Sequence, residues 1–119
     1  MYELLRWLDV IPGRNWLVLG SAAAELAGLV REGSQPAGVS VAQDTPSFGN
    51  STFDVVIVTT GPVTEAAVAE LRRVVWPGGT VAAYVSGEAS ALWRLFQAAG
   101  LHAVQSCTIG EMAATRGTR

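Results

Sequence analysis

Apolar residues fall along this chain in two alternating kinds of block: short continuous runs, and stretches in which they recur every three or four positions. The first kind predicts strands buried on both faces, the second helices with one apolar side. Tyr2 to Val10 spaces Leu4, Leu5 and Leu8 for a short leading helix that Pro12-Gly13 ends. Asn15 to Leu19 is a strand-like run closed by Gly20, and Ser21 is placed to cap a helix carrying Leu26, Leu29 and Val30. After a break at Gly33 to Pro36, Gly38 to Ala42 reads as a second strand and Asp44 to Thr52 as a loop of turn-forming residues.

Phe53 to Thr59 is the clearest buried strand. Thr64 is placed to cap a helix with Ala67, Val68, Leu71 and Val75 on one face, which Pro77-Gly78-Gly79 stops ahead of a strand from Thr80 to Val85. Ser86 opens the last helix, with Ala89, Leu92, Trp93 and Phe96 inward and Gly100 at its end. Leu101 to Ile109 and Met112 to Thr118 are two strands joined at Gly110-Glu111. The alternation predicts one α/β domain over residues 1–119: three-layer, doubly wound, with a mostly parallel sheet of about six strands and a C-terminal antiparallel pair.

With 119 residues, 50% of them hydrophobic and 15% charged, the chain can bury a substantial core in a single domain. Apolar runs such as Val55 to Val58 are far shorter than the roughly 20 residues of a membrane helix. Met1 opens an amphipathic segment rather than a basic secretory leader, so a soluble, cytoplasmic protein is expected. Eight arginines, no lysine and ten scattered acids give a net charge of -2 and no basic stripe, which argues against nucleic acid as a partner. The lone Cys107 can form no internal disulfide, and with the lone His102 it makes no metal cluster, which suits a reducing compartment. Four tryptophans and a positive mean hydropathy exceed what so small a domain needs inside, so a homo-oligomer or a complex with another chain is expected.

Several segments together resemble the class I S-adenosylmethionine (SAM)-dependent methyltransferases, especially those acting on small molecules. Trp7 to Gly13 followed by Trp16-Leu17-Val18-Leu19-Gly20 is similar to that family's entry helix and first strand, and Phe53-Asp54-Val55-Val56 to its fourth strand. Leu71 to Thr80 is similar to its turn into the fifth strand, and Phe96-Gln97-Ala98-Ala99-Gly100-Leu101 to its last helix entering a terminal hairpin. The resemblance covers nearly the whole chain. It implies a Rossmann-like fold in which Asn15–Leu19 and Phe53–Thr59 lie side by side at the centre of the sheet, in the family order 2-1-4-5 followed by the hairpin.

The resemblance further implies SAM as cofactor, with candidate binding residues Gly20, Ser21, Ala22, Ser40, Asp44, Thr59 and Thr60 at the edge where open α/β sheets hold ligands. This chain departs from the family there. The glycine-rich turn is Gly20-Ser21-Ala22-Ala23-Ala24, with only the first glycine kept, and Ser40 stands where the family has the acid that binds the ribose. In a second registration, Ala42 to Pro46 through Phe53-Asp54 resembles the third strand and the loop after it; Val41 then replaces the acid facing adenine. Ser21 reads first as a helix cap, with a ligand carboxylate at the helix N-terminus as the alternative.

No catalytic residue stands out. Thr59-Thr60-Gly61-Pro62 lacks the Asn-Pro-Pro-Tyr pattern of amino methyltransferases, and His102 falls at the opposite edge from Thr59. Cys107 reads as core, Asp54 as an anchor for the start of its strand, and Pro77-Gly78-Gly79 as a helix stop. The reading that results is a methyltransferase-like domain with lost or weakened SAM binding that acts in binding or assembly. The alternatives are an active small-molecule SAM-dependent methyltransferase and a module for another nucleotide-like or anionic ligand.

Overall fold

A computed structural model describes residues 2–45 and 47–119. Met1 and Pro46 lie outside the described residues, and with them the opening of the leading segment and the last residue of Ala42 to Pro46 in the second registration. The elements in chain order are α1 (Tyr2–Leu8), β1 (Asn15–Leu19), α2 (Ala23–Gly33), β2 (Gly38–Ala42), β3 (Phe53–Val58), α3 (Glu65–Val74), β4 (Val75–Ser86), α4 (Ala89–Ala98), β5 (His102–Ile109) and β6 (Met112–Thr118). They form one six-stranded sheet in the order β2-β1-β3-β4-β6-β5. The first three pairings are parallel; β6 slots antiparallel between β4 and β5.

Period-two alternation sends neighbouring strand residues to opposite faces, and helices cover both. Leu17, Leu19, Val56, Val81 and Ala83 join Val68, Leu71 and Val74 of α3 and Leu92 and Phe96 of α4 in one core. Trp16, Val18, Val55, Ile57 and Ala82 join Leu4 and Leu8 of α1 and Leu26, Ala27 and Val30 of α2 in the other. Because both faces are buried, the strands carry continuous apolar runs.

Five local expectations are corrected. Val75 is not on α3: it pairs with Phe53 as the first residue of β4, fully buried, where a β-branched side chain packs well. Trp76 to Gly79 then loop out before Thr80 pairs with Val55, so Pro77-Gly78-Gly79 is an irregularity inside a strand rather than a helix stop. Gly79 is required there, since a Cβ would stand 2.8 Å from the Asp54 carbonyl oxygen. Trp93 is 41% exposed, its indole N–H donating to the Val104 carbonyl at 3.3 Å. Ser86 ends β4 instead of opening α4, whose N-cap is Glu88. Ser21 does not cap α2: the N-cap position is Ala22, with no side-chain bond. The Thr64 cap does form, Oγ1 accepting from the Ala67 N–H at 3.1 Å.

Three arginines hold elements together by donating to carbonyl groups that regular structure leaves free. Arg116 on β6 donates to the Trp7 and Leu8 carbonyls at the end of α1, lies 4.9 Å from the Trp7 ring centroid, and is itself held by Gln105. Arg73 on α3 pairs with Glu70 and donates to the Phe48 carbonyl at 2.8 Å and the Thr45 carbonyl at 3.3 Å, which fixes the loop between β2 and β3. Arg119 ties Ser51 and the Arg73 and Val75 carbonyls to the C-terminal end. Replacing Arg116 with Ala is expected to cost about 1–2 kcal/mol, from hydrogen bonds and packing over Trp7 together. The urea midpoint measures the loss, and protease cutting between Asp9 and Arg14 should accelerate as α1 loosens.

Candidate functional site

The parallel strands β1 and β3 run side by side, Leu19 opposite Val58, so the chain leaves both at the same edge of the sheet. Open α/β sheets hold ligands at this carboxyl edge, where the strand order changes direction. The turn after β1 begins at Gly20, whose φ of +102° suits glycine, and a Cβ there would stand 2.5 Å from Thr60 Oγ1 and 2.7 Å from Thr59 Oγ1.

Those two hydroxyls close the turn. Thr59 Oγ1 donates to the Leu19 carbonyl at 2.7 Å and accepts from the Ala22 N–H at 3.3 Å. Thr60 Oγ1 accepts from the Ser21 N–H at 2.6 Å and donates to Ser21 Oγ at 3.0 Å. The Gly20 N–H is bonded to the Ala42 carbonyl and the Ala23 N–H to the Gly20 carbonyl. Every N–H from Gly20 to Ala23 therefore has a partner within the chain, while the Ala24 and Glu25 N–H groups in the first turn of α2 have none among the described residues.

Beside the turn lies a cleft of about 310 Å³ between β1, β3 and α3, floored by Leu19, Val58, Val63 and Leu71, with Asp44, Thr60 and Glu70 among its lining residues. Its volume is at the lower end for a small-molecule site. Larger hollows of about 560 and 370 Å³ occur around α1 and the Trp76 to Gly79 loop, at the opposite edge, to which no parallel strand points its carboxyl end.

Of the residues expected to bind cofactor, Gly20, Ser21, Ala22, Thr59 and Thr60 form one hydrogen-bonded group, and Asp44 joins Thr60 at the cleft. Ser40 is corrected: it pairs with Leu17 in mid-strand, and β2 runs on to Ala42, so Ser40 falls short of the edge. With β2 hydrogen-bonded directly to β1, the strand occupies the place of the family's second strand rather than its third. Glu70, Val63 and Gln43 also line the cleft without having been singled out. Glu70 follows Ala66 and Ala67 at helical spacing, a signal that becomes useful only once α3 is known to lean over this edge.

The other candidates have structural positions. Asp54 accepts from the Asn15 N–H at 2.9 Å and so ties the starts of β1 and β3 together. His102 pairs with Thr118 at the far end of the hairpin. Burial pushes the Cys107 thiol above its usual range against the opposing pull of Arg116, which makes it a poor nucleophile. Among the described residues no cluster of three or more His, Cys, Asp or Glu could hold a metal ion, and no helix is long and apolar enough to cross a membrane.

No family model matches the sequence, and no curated protein matches it. Solved structures do. A chain from the complex between the Haloferax volcanii Trm112 methyltransferase activator and a methyltransferase superposes with a TM-score of 0.83 at 14% identity, over 98% of this chain and 87% of that one. A SAM-dependent methyltransferase from Aquifex aeolicus gives 0.76 at 12% identity over the same shares. A phosphoethanolamine N-methyltransferase from Haemonchus contortus, bound to S-adenosylhomocysteine, gives 0.71 at 13% identity over 89% of this chain and 37% of its own. With the strand order and the closing hairpin already in place, these likenesses show that the chain has the fold of the class I SAM-dependent methyltransferases.

Proposed function

We propose that this single domain is a methyltransferase-like protein whose cofactor turn is closed by its own threonines, so that SAM binds weakly or not at all and the domain acts by binding or assembly. The observation that carries this is the occupation of the Ser21 and Ala22 amides by Thr60 and Thr59. A ligand carboxylate reaching those amides must first displace two hydroxyls, and each lost hydrogen bond costs about 0.5–1.5 kcal/mol. Ser40 offers no help with a ribose, being remote from the edge, so Asp44 is the one carboxylate among the expected residues that the cleft retains.

A cytoplasmic setting suits the free Cys107. The partner is a second copy or another protein; one structural neighbour comes from a complex with an activator protein, which supports a protein partner here.

A second reading, an active methyltransferase on a small molecule, draws on the cleft and Asp44 at the carboxyl edge. Methyl transfer asks the protein mainly to align an acceptor, so the lack of an acid or base is no obstacle. The closed Ser21 and Ala22 amides weigh against the third reading, another nucleotide-like or anionic ligand, which is left with Ser21 Oγ and the Ala24 and Glu25 N–H groups of the first turn of α2.

Melting curves with SAM and S-adenosylhomocysteine separate these readings. A ligand at a hundred times its dissociation constant stabilises a fold by about 2.7 kcal/mol, a shift of several degrees in so small a domain. No shift is expected at millimolar ligand; a clear shift at tens of micromolar would establish binding and favour the active enzyme. The closure also makes Gly20 hard to replace. Gly20→Ala is expected to lower stability by about 1–3 kcal/mol in urea titrations. Adding Thr60→Ala should recover only part, since the positive φ and the Thr59 contact remain.

A further inference from the structure

The two edges of the sheet are treated differently. β5 is blunted: Ala103 has a φ of +52°, the pairing with β6 shifts register between His102 and Gln105, and the Trp93 indole donates to the Val104 carbonyl. Such irregularities and covering groups keep an edge strand from recruiting another. β2, at the other edge, is a regular run of Gly38-Val39-Ser40-Val41-Ala42 in unbroken register with β1, with no charge and no proline in it. Val41 is 47% exposed.

The Ala42 carbonyl accepts from Gly20 N–H on the β1 side, so by strand alternation Ser40 and Gly38 also face β1 while Val39 and Val41 turn their N–H and C=O groups outward. Arg31 confirms the direction: its guanidinium reaches the Val39 carbonyl from outside the sheet, at a long 3.5 Å.

We infer that this edge pairs with the β2 of a second copy, antiparallel about a two-fold axis through Ser40. The neighbours of that residue are symmetric, Val39 on one side and Val41 on the other. With Ser40 opposite Ser40, Val39 of each copy falls opposite Val41 of the other, and those two residues, the ones with outward backbone groups, exchange both of their N–H···O bonds. Each Val39 meets a Val41 of the other copy on the face of α1 and α2, and the two serines meet on the other face. The interface is isologous, closes on itself, and joins the two sheets into one. Arg31 has only to release one long hydrogen bond. The inference rests on the assembly half of the proposed function and gives it a surface; the SAM melting curves test the cofactor half, so each can fail without the other.

The test uses the full chain with Cys107→Ser, leaving no native thiol. In this register the two Ser40 Cα atoms form a non-hydrogen-bonded antiparallel pair about 4.5 Å apart, within disulfide reach. The two Ala42 positions lie four residues out of step, roughly 13 Å apart at about 3.3 Å per residue, beyond that reach. Mild oxidation is expected to convert Ser40→Cys almost wholly to a disulfide-linked dimer and to leave Ala42→Cys monomeric on a non-reducing gel. Sedimentation of the natural chain at high micromolar concentration should give a dimer, and Val41→Pro, which removes an outward N–H, a monomer with unchanged circular dichroism. A monomeric natural chain overturns the inference, as does cross-linking of Ala42→Cys as readily as Ser40→Cys.

Discussion

The Leu19 carbonyl oxygen accepts two hydrogen bonds from one residue, the N–H of Thr59 at 2.8 Å and its hydroxyl at 2.7 Å, and the carboxyl edge of the sheet is organised around that contact. It sets the ends of β1 and β3 level, so that the turn into α2 faces the turn into α3. It also points Thr59 Oγ1 at the Ala22 amide and brings Thr60 to Ser21. A side chain at Gly20 would break the arrangement, because its Cβ would fall into the space the two hydroxyls fill. The likeness to methyltransferases and the departure from them thus meet at one point: the strands end where the fold requires, and the chain itself takes up the donors gathered there.

Much of the fold was legible because β1, β2, β5 and β6 obey local rules: apolar or alternating runs bounded by glycine, serine or a tight turn. The failures were tertiary. Val75 extends the apolar face of α3 in helical spacing, and only the proximity of Phe53 makes it a strand residue. Trp93 fits an inward pattern, but a nearby free carbonyl and the irregular β5 draw its indole across the surface. Ser21 is a good cap by type, yet α2 begins one residue later, with Ala22 at the cap position, and Thr60, distant in sequence, takes the Ser21 N–H and hydroxyl into the turn instead. At the carboxyl edge, Gly20, Thr59 and Thr60 could be placed together because the ends of β1 and β3 are readable. Ser40 was misplaced although the end of β2 at Ala42 was read correctly, because it was assigned by likeness to a family motif rather than by its distance from that end, and Glu70 depended on α3 packing beside the cleft.

The use of arginine without lysine has a structural counterpart. Arg73, Arg116 and Arg119 each reach several acceptors at once, a task for a planar fork of donors rather than a single ammonium. Each holds a stretch with little regular structure of its own: the loop between β2 and β3, the end of the short α1, or the irregular start of β4. The chain fastens these stretches through their carbonyl groups.

The insertion of β6 between β4 and β5 orders events in time. β5 emerges from the ribosome before β6, yet it joins the sheet only through β6, so it has α4 beside it but no strand partner until the chain has grown through Thr118. Until then the long flank of β4 is open, with Ala82, Ala83 and Val85 lacking their partners in β6. The tight turn at Gly110-Glu111 shortens that interval, since it lets β5 and β6 zip as a local hairpin and dock as one piece. β6 is thus the keystone of the sheet: the strand that follows β5 in sequence is the one that joins β5 to the rest.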